Sequence, residues 1–409
     1  MATFDEILKR FPADVQTTIQ EIWNSLSPSE KESLLSMVKG IPTETSLVKL
    51  LIKLSASQVK QVFGKKSKVA IVGPANVGKS TLYNQFIHSK ADNAKVSPIP
   101  GTTRVNQQAD AGIFSVIDTP GADAVGEVGE REKAEALNAA SDADFLIILF
   151  DAIQGIKKTE KEIFDELTAL GKPYIVVLNK IDLVRADQAG VLKLVTSHLG
   201  LQEGQVIPIT AKDGKNLTQL LAAIAVAEPA IIAALGSALP EYRWQLAWRS
   251  IISAASISAV IALTPLPILD FGPLLINQTV MVLGIARVYN YKINLERARE
   301  LIMTFGLGML GRMLFMELSK LGGIPGWLLS AAIASAVTVV MGYAAAEWFQ
   351  SGTRITSTRM NELVRKVTAD LLASLKSLGK KKPAREKLQE AVKQSLEEIT
   401  IDENNQKGI

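Results

Sequence analysis

Apolar positions change their spacing along the chain, and each change marks a different kind of element. Over residues 1–63 they recur at helical period, with Ile19, Ile22, Trp23 and Leu26 on one stripe and Leu34, Leu35 and Val38 on another. This predicts short amphipathic helices packed against a neighbour, Ser27, Pro28 and Glu30 opening one and Gly40-Ile41-Pro42 closing it. From Lys68 the pattern becomes short β-branched runs separated by helical stretches: Val69–Val72, Ser115–Asp118, Phe145–Phe150, Tyr174–Leu178 and Val206–Ile209. Such an alternation predicts an α/β domain whose mostly parallel sheet carries helices on both faces. Ligands of these sheets bind at the loops that follow the carboxyl ends of the strands. Past Glu228 the pattern changes again: residues 251–269, 271–286 and 321–346 carry no formal charge, and Leu301–Met316 carries only Arg312. An all-α apolar domain is expected there, followed by a charged helical stretch at roughly 353–399, with Asp402–Ile409 disordered. The predicted division is an all-α N-terminal segment at 1–65, the α/β domain at 66–228, the apolar helical domain at 229–378 and a charged tail at 379–409.

Composition agrees with several domains of unlike character. A chain of 409 residues exceeds the size at which one core stops growing. Its 47% of hydrophobic residues beside 21% of charged ones imply polar and apolar regions that are segregated. The 45 Lys and Arg against 41 Asp and Glu leave a net charge of +4, too balanced to indicate nucleic acid, and no basic, aromatic-interleaved RNA module is visible. The chain has no cysteine, which excludes disulfide frameworks, zinc-cysteine sites and thiol nucleophiles. His88 and His198 are the only histidines, and neither stands at metal-ligand spacing. The N-terminus lacks the pattern of a secretory signal, so the α/β domain is expected to face the cytosol.

Three motifs stand at predicted strand ends. Gly73-Pro74-Ala75-Asn76-Val77-Gly78-Lys79-Ser80 follows the first strand and precedes a helix beginning near Thr81, the context of a phosphate-binding loop. Its amides and the helix N-terminus supply positive potential, Lys79 reaches the β- and γ-phosphates and Ser80 ligates Mg²⁺. Gly73, Asn76, Val77, Gly78, Lys79, Ser80 and Thr81 are therefore the candidate phosphate contacts. Asp118-Thr119-Pro120-Gly121 ends the second strand; Asp118 can hold Mg²⁺ through water, and Gly121 can offer its N–H to the γ-phosphate. Asn179-Lys180-Ile181-Asp182 ends the fourth strand. A carboxylate at Asp182 can accept from both the ring N1–H and the exocyclic amine of guanine, a donor pair that adenine lacks, which selects GTP and GDP over adenine nucleotides. Thr210-Ala211-Lys212 then fits a loop whose Ala211 N–H meets the guanine oxygen.

In this order the motifs resemble those of bacterial Era/Der/TrmE-like GTPases, over about 160 residues, which implies a P-loop GTPase fold and GTP hydrolysis with Mg²⁺. By the same resemblance Gly101-Thr102-Thr103-Arg104 matches switch I, where Thr103, or failing it Thr102, completes Mg²⁺ coordination. Asn76 stands where some members bind K⁺, which can neutralise transition-state charge. Lys79, Asn76, Thr103 and Gly121 are thus the candidate catalytic residues, and Ser80, Thr103 and Asp118 the candidate metal ligands. Ala122 occupies the position where Ras-like enzymes carry a water-orienting glutamine, so slow intrinsic turnover is expected.

The apolar half reads as two hairpins. Ile251–Thr264 and Leu274–Ala286 flank a tip containing Pro265, Pro267, Asp270, Gly272 and Pro273; Leu301–Met316 and Ile324–Ala346 flank a second tip ending in Gly326. Entry of both into a bilayer from one side would leave their charged ends together on the cytosolic face. Legs of about 14 residues in the first hairpin are short for a full crossing, and Arg312, Glu317 and Asp270 are easier to place inside a bundle than against lipid. Leu266–Gln278 resembles an uncharacterised apolar domain appended to Era-like GTPases and regarded as membrane-associated. The expected whole is a nucleotide switch on a bilayer, through 251–346, in a regulatory or remodelling role. Two alternatives stay open: a ribosome-assembly factor, and a soluble, cytoplasmic scaffold that forms homo-oligomers.

Overall fold

A computed structural model of the chain describes Gln20 and residues 68–88, 103–104, 113–119, 127–184, 187–202, 204–263, 271–292 and 324–398. The expected N-terminal helices, Thr102, Gly121 and Ala122, the first hairpin's tip as far as Asp270, the Leu301–Met316 leg and the end of the tail lie outside the described residues. In chain order the elements begin with β1 (Val69–Gly73), α1 (Lys79–His88), β2 (Thr103–Arg104), β3 (Phe114–Asp118), α2 (Glu127–Ser141), β4 (Phe145–Asp151), α3 (Lys158–Ala169) and β5 (Tyr174–Asn179). They continue with α4 (Gln188–Leu199), β6 (Val206–Pro208), α5 (Leu217–Ala227), α6 (Ile232–Ala238), α7 (Arg243–Ala262), α8 (Phe271–Val288), β7 (Tyr291–Lys292), α9 (Gly326–Ser351), α10 (Ser357–Leu375) and α11 (Arg385–Glu398).

The chain divides into two compact units. The nucleotide unit holds the described parts of 64–95 and 106–246, built on a parallel sheet of order β3-β1-β4-β5-β6. β1 and β4 lie inside the sheet with every residue buried, as their unbroken apolar runs require when helices cover both faces. Phe150, Phe164, Leu146 and Val176 belong to the same buried cluster. β3 joins one edge of β1 and β4 the other, so the chain reverses its direction of travel at β1. A crevice at the carboxyl ends of β1 and β4 is the natural ligand position in such a sheet. The expected strands are all present; those at β1, β4 and β5 extend one residue further, into Gly73, Asp151 and Asn179.

The helical unit holds β2 and the described residues from Ala247 onward. Its central helix, α9, is apolar around its whole circumference and buried along most of its length, as such a helix must be. α10 covers it with Met360, Leu363, Val364, Val367 and Leu371, at spacings of three and four. Its other face exposes Glu362, Lys366 and Asp370. Gly342 marks a close approach inside the unit: a Cβ there would stand 2.5 Å from Ile251 Cγ1 and 3.1 Å from Met281 Sδ. Polar side chains join the helices internally. Asn277 Nδ2 donates to Ala254 O at 2.8 Å and Ser258 Oγ at 2.9 Å, Ser258 and Thr338 hydroxyls pair at 2.8 Å, and Gln278 Nε2 donates to Thr338 Oγ1 at 3.2 Å.

Several sequence boundaries move. The compact units part between Leu246 and Ala247, so the buried Ile231, Leu235 and Leu239 belong to the nucleotide unit, beyond the composition boundary expected at 228/229. The first hairpin's legs are helices of 20 and 18 residues, not about 14, since helix geometry continues through the polar residues that a search for uncharged runs treats as ends. The expected charged tail at 379–409 contains a packed helix, α11, which buries Leu388, Val392 and Leu396 completely.

Candidate nucleotide-binding site

The phosphate-loop residues lie between β1 and α1, where two steric facts explain the glycines. A Cβ on Gly73 would stand 2.3 Å from the Leu149 carbonyl oxygen, and one on Gly78, at φ +98°, would stand 2.3 Å from Asn179 Nδ2. Asn76 occupies a left-handed conformation at φ 64°, which asparagine tolerates better than most residues. The Lys79 ammonium is only 4% exposed, and a buried charge needs partners. It donates to Pro74 O at 2.5 Å and pairs with Asp118 Oδ1 at 2.5 Å. Ser80 is exposed beside it. Asp118 ends β3 in register with Gly73, and the following Thr119 N–H donates to Gly73 O at 3.1 Å. One hydroxyl and one exposed carboxylate beside an ammonium make an all-oxygen donor set suited to a hard divalent cation. Among the described residues there is no cluster of three or more His, Cys, Asp or Glu that could hold a metal by itself.

The end of β5 ties this loop to the Thr210–Lys212 loop. Asn179 is buried; its Nδ2 donates to Val77 O at 2.8 Å, and its Oδ1 accepts from Ala211 N at 2.9 Å. The next residue, Lys180, is left-handed at φ 63° and sends its ammonium to Asn76 O and to Asp151 Oδ2, each at 2.7 Å. Asp182 is exposed, and Thr210 Oγ1 donates to its Oδ1 at 3.1 Å, which orients the carboxylate and leaves acceptor capacity outward. The Thr210–Lys212 loop is closed by the Thr210 N–H to Lys215 O bond at 3.2 Å and by Asn216 Nδ2 donating to Pro208 O at 2.9 Å. Lys212 is exposed at its tip.

The structure thus brings together Gly73, Asn76, Val77, Gly78, Lys79, Ser80, Thr81, Asp118, Asn179, Lys180, Asp182, Thr210, Ala211 and Lys212 in the nucleotide unit. Thr103 is the exception: its backbone belongs to β2, within the helical unit. Sequence reasoning missed Asp151. It is 3% exposed, ends β4, and accepts from both Lys180 and the Ile153 N–H. Its signal was visible as a single acid closing an otherwise wholly apolar strand, at the end where ligands bind.

Comparison with known proteins agrees with this geometry. Residues 68–180 match the model of a family described as 50S ribosome-binding GTPase, and residues 233–377 match a domain of unknown function, DUF697. The chain is 38% identical over 158 residues to GTPase Der of Glaesserella parasuis, covering 37% of this chain and 30% of that protein. It is 38% identical over 169 residues to GTPase Der of Azorhizobium caulinodans, covering 40% and 36% respectively. The chain therefore spans about a third of the length of the curated relatives it matches. A crystal structure of Aquifex aeolicus Era is 25% identical, covering 50% of this chain and 69% of that one at a TM-score of 0.30. The nucleotide unit is accordingly a P-loop GTPase domain, similar in sequence to the bacterial Der GTPases, in a chain whose helical part matches a family without an assigned function.

Proposed function

We propose that the chain is a nucleotide switch that binds GTP and hydrolyses it to GDP and phosphate with Mg²⁺. The observation that carries this reading is the position of Asn179, whose one amide bonds the phosphate loop at Val77 and the base loop at Ala211. Phosphate and base recognition are joined by one buried side chain, so the site is organised for a whole nucleotide. Phosphate oxygens compete for the Lys79 ammonium that Asp118 now engages, and their arrival frees the Asp118 carboxylate. Ser80, Asp118 through water, and Thr103 would hold Mg²⁺, and Gly121 would offer its N–H to the γ-phosphate. When bound, Mg²⁺ offsets charge on the β- and γ-phosphate oxygens. Asp182, held by Thr210, accepts the guanine donors. Asn76 would supply an oxygen to K⁺, and Ala122 has no side-chain amide with which to orient the attacking water.

Direct titration with GTP, GDP and ATP tests this: guanine nucleotides should bind at least about 100-fold more tightly than ATP, the scale set by a site built around polar donors. Equal affinities, or no binding, would overturn it. Turnover measured in K⁺ and Na⁺ buffers separates the cation proposal, since equal rates remove K⁺ alone.

For the helical unit we propose association with a bilayer as a folded bundle, in a regulatory or remodelling role. Among the described residues two helices, Pro240–Ala262 and Gly326–Ser351, are long and apolar enough to cross a membrane. Yet 72% and 83% of their most apolar windows are buried, and α10 lays a helix with a charged outer face along α9. Isolated spanning by either helix would require stripping off that cover. Vesicle flotation in the presence of GTP, GDP or neither tests the association; discrete assemblies with no vesicle binding would favour a soluble homo-oligomer, and co-sedimentation with ribosomes an assembly factor.

A further inference from the structure

β2 and β7 form a two-stranded antiparallel sheet inside the helical unit, Thr103 opposite Lys292 and Arg104 opposite Tyr291. The β7 side of this pair is firmly mounted. α8 ends at Val288, the Tyr289 and Asn290 amides donate to Ile285 O at 3.1 Å and Arg287 O at 3.0 Å, and Asn290 turns the chain at φ 64°. Tyr291 is 2% exposed, its ring 5.3 Å from that of Phe349, which stacks on Trp348. Tyr289 Oη donates to Gln350 Oε1 at 3.3 Å. β7 is therefore an edge fixed to both α8 and α9, whose described partner is two residues from the segment that the nucleotide is expected to order.

We infer that the β7 edge is the docking site of the Thr103-Arg104 segment, and that binding of GTP with Mg²⁺ draws this segment off it. The inference rests on the proposed switch function, in which Thr103 serves the metal at Ser80. A two-stranded pairing this short is only marginally stable, so a modest preference of GTP for the released segment is enough to shift it. GDP lacks the γ-phosphate that orders switch segments and should leave the pairing in place. Linkage makes the effect reciprocal: holding β2 on β7 must weaken GTP binding by the factor through which GTP weakens the pairing. The helical unit would thus read the nucleotide through a backbone ladder.

The chain has no cysteine, so Arg104→Cys with Lys292→Cys supplies a unique labelling pair in the whole 409-residue chain. With spin labels at both positions, the separation should be short with GDP or without nucleotide, and should lengthen with a non-hydrolysable GTP analogue and Mg²⁺. Joining the same two thiols with a flexible bis-maleimide, which must reach around the pair because positions 104 and 292 stand on opposite faces of it, should weaken analogue binding about tenfold, equivalent to about 1.4 kcal/mol, and leave GDP affinity within about twofold of that measured before joining. A separation that stays the same while the analogue demonstrably binds, or a cross-link without effect on analogue affinity, overturns the inference and leaves the switch function standing. Failure of the labelled and the parent chain alike to bind any guanine nucleotide overturns both.

Discussion

In the nucleotide unit the polar side chains that organise the structure stand at the ends of strands, whereas in the helical unit they stand in the middle of helices. Asn179, Asp151 and Asp118 each close a strand, and their partners are loop backbone atoms and lysine ammoniums. Ser258, Asn277 and Thr338 lie within α7, α8 and α9 and bond to one another. The first arrangement leaves loops aimed outward, where a ligand can replace a partner. The second satisfies polar groups inward and specifies which helices pack at which level, since any other register would bury them unpaired. The large apolar side chains that are exposed, Val116, Ile153, Leu183, Leu194 and Val226, all belong to the nucleotide unit among the described residues. The more apolar unit is thus the better covered.

The comparison predicts that substitutions at the strand ends of the nucleotide unit affect ligand binding, and that those in the interior of the helical bundle, away from the β7 edge, affect stability alone. Gly78→Ala should have the largest effect: its Cβ collides with Asn179 at a positive φ, and guanine-nucleotide affinity should fall at least about 100-fold by titration, a loss of about 2.7 kcal/mol. Gly342→Leu forces a side chain against Ile251 and Met281 and should destabilise the helical unit by about 2–3 kcal/mol in chemical denaturation, with nucleotide affinity unchanged. Thr338→Val leaves the Gln278 amide and the Ser258 hydroxyl without their partner; a loss of about 1–2 kcal/mol is expected by the same measurement. The smallest effect belongs to Asp151→Asn, which keeps the shape but removes the charge facing Lys180 and should weaken nucleotide binding about tenfold while folding stability changes little. A nucleotide-affinity change in either helical-unit variant would break the separation, and would itself measure coupling between the units.

The two regions also differed in how far they could be read before folding was considered. Each nucleotide motif occupies a few consecutive residues at a strand end, and the chemistry of glycine, lysine and aspartate at fixed spacing is local, so the phosphate loop, Asp118, the Asn179–Asp182 segment and the Ala211 loop were all legible. The role of Asn179 as a tie between loops was not, because its partners Val77 and Ala211 lie 102 and 32 residues away. In the helical unit hydrophobicity announced helices but not their lengths, and the helical stretch expected at 353–399 gave no sign that Leu388, Val392 and Leu396 bury completely to fasten α11 in place. Helical period alone does not say whether an apolar face meets lipid, solvent or another helix.

By itself the sequence determined the α/β alternation, the glycine-rich loop after the first strand and the exposed acid that follows β5, because backbone sterics and side-chain chemistry act over a few neighbouring residues. Only the tertiary structure decided that Asn179 joins two loops, that Asp151 holds Lys180, that α7 and α9 lie covered by their neighbours, and that Thr103 pairs with Lys292. Those features depend on contacts between segments far apart in the chain, whose formation is governed by burial and hydrogen-bond satisfaction of the whole fold rather than by any local preference.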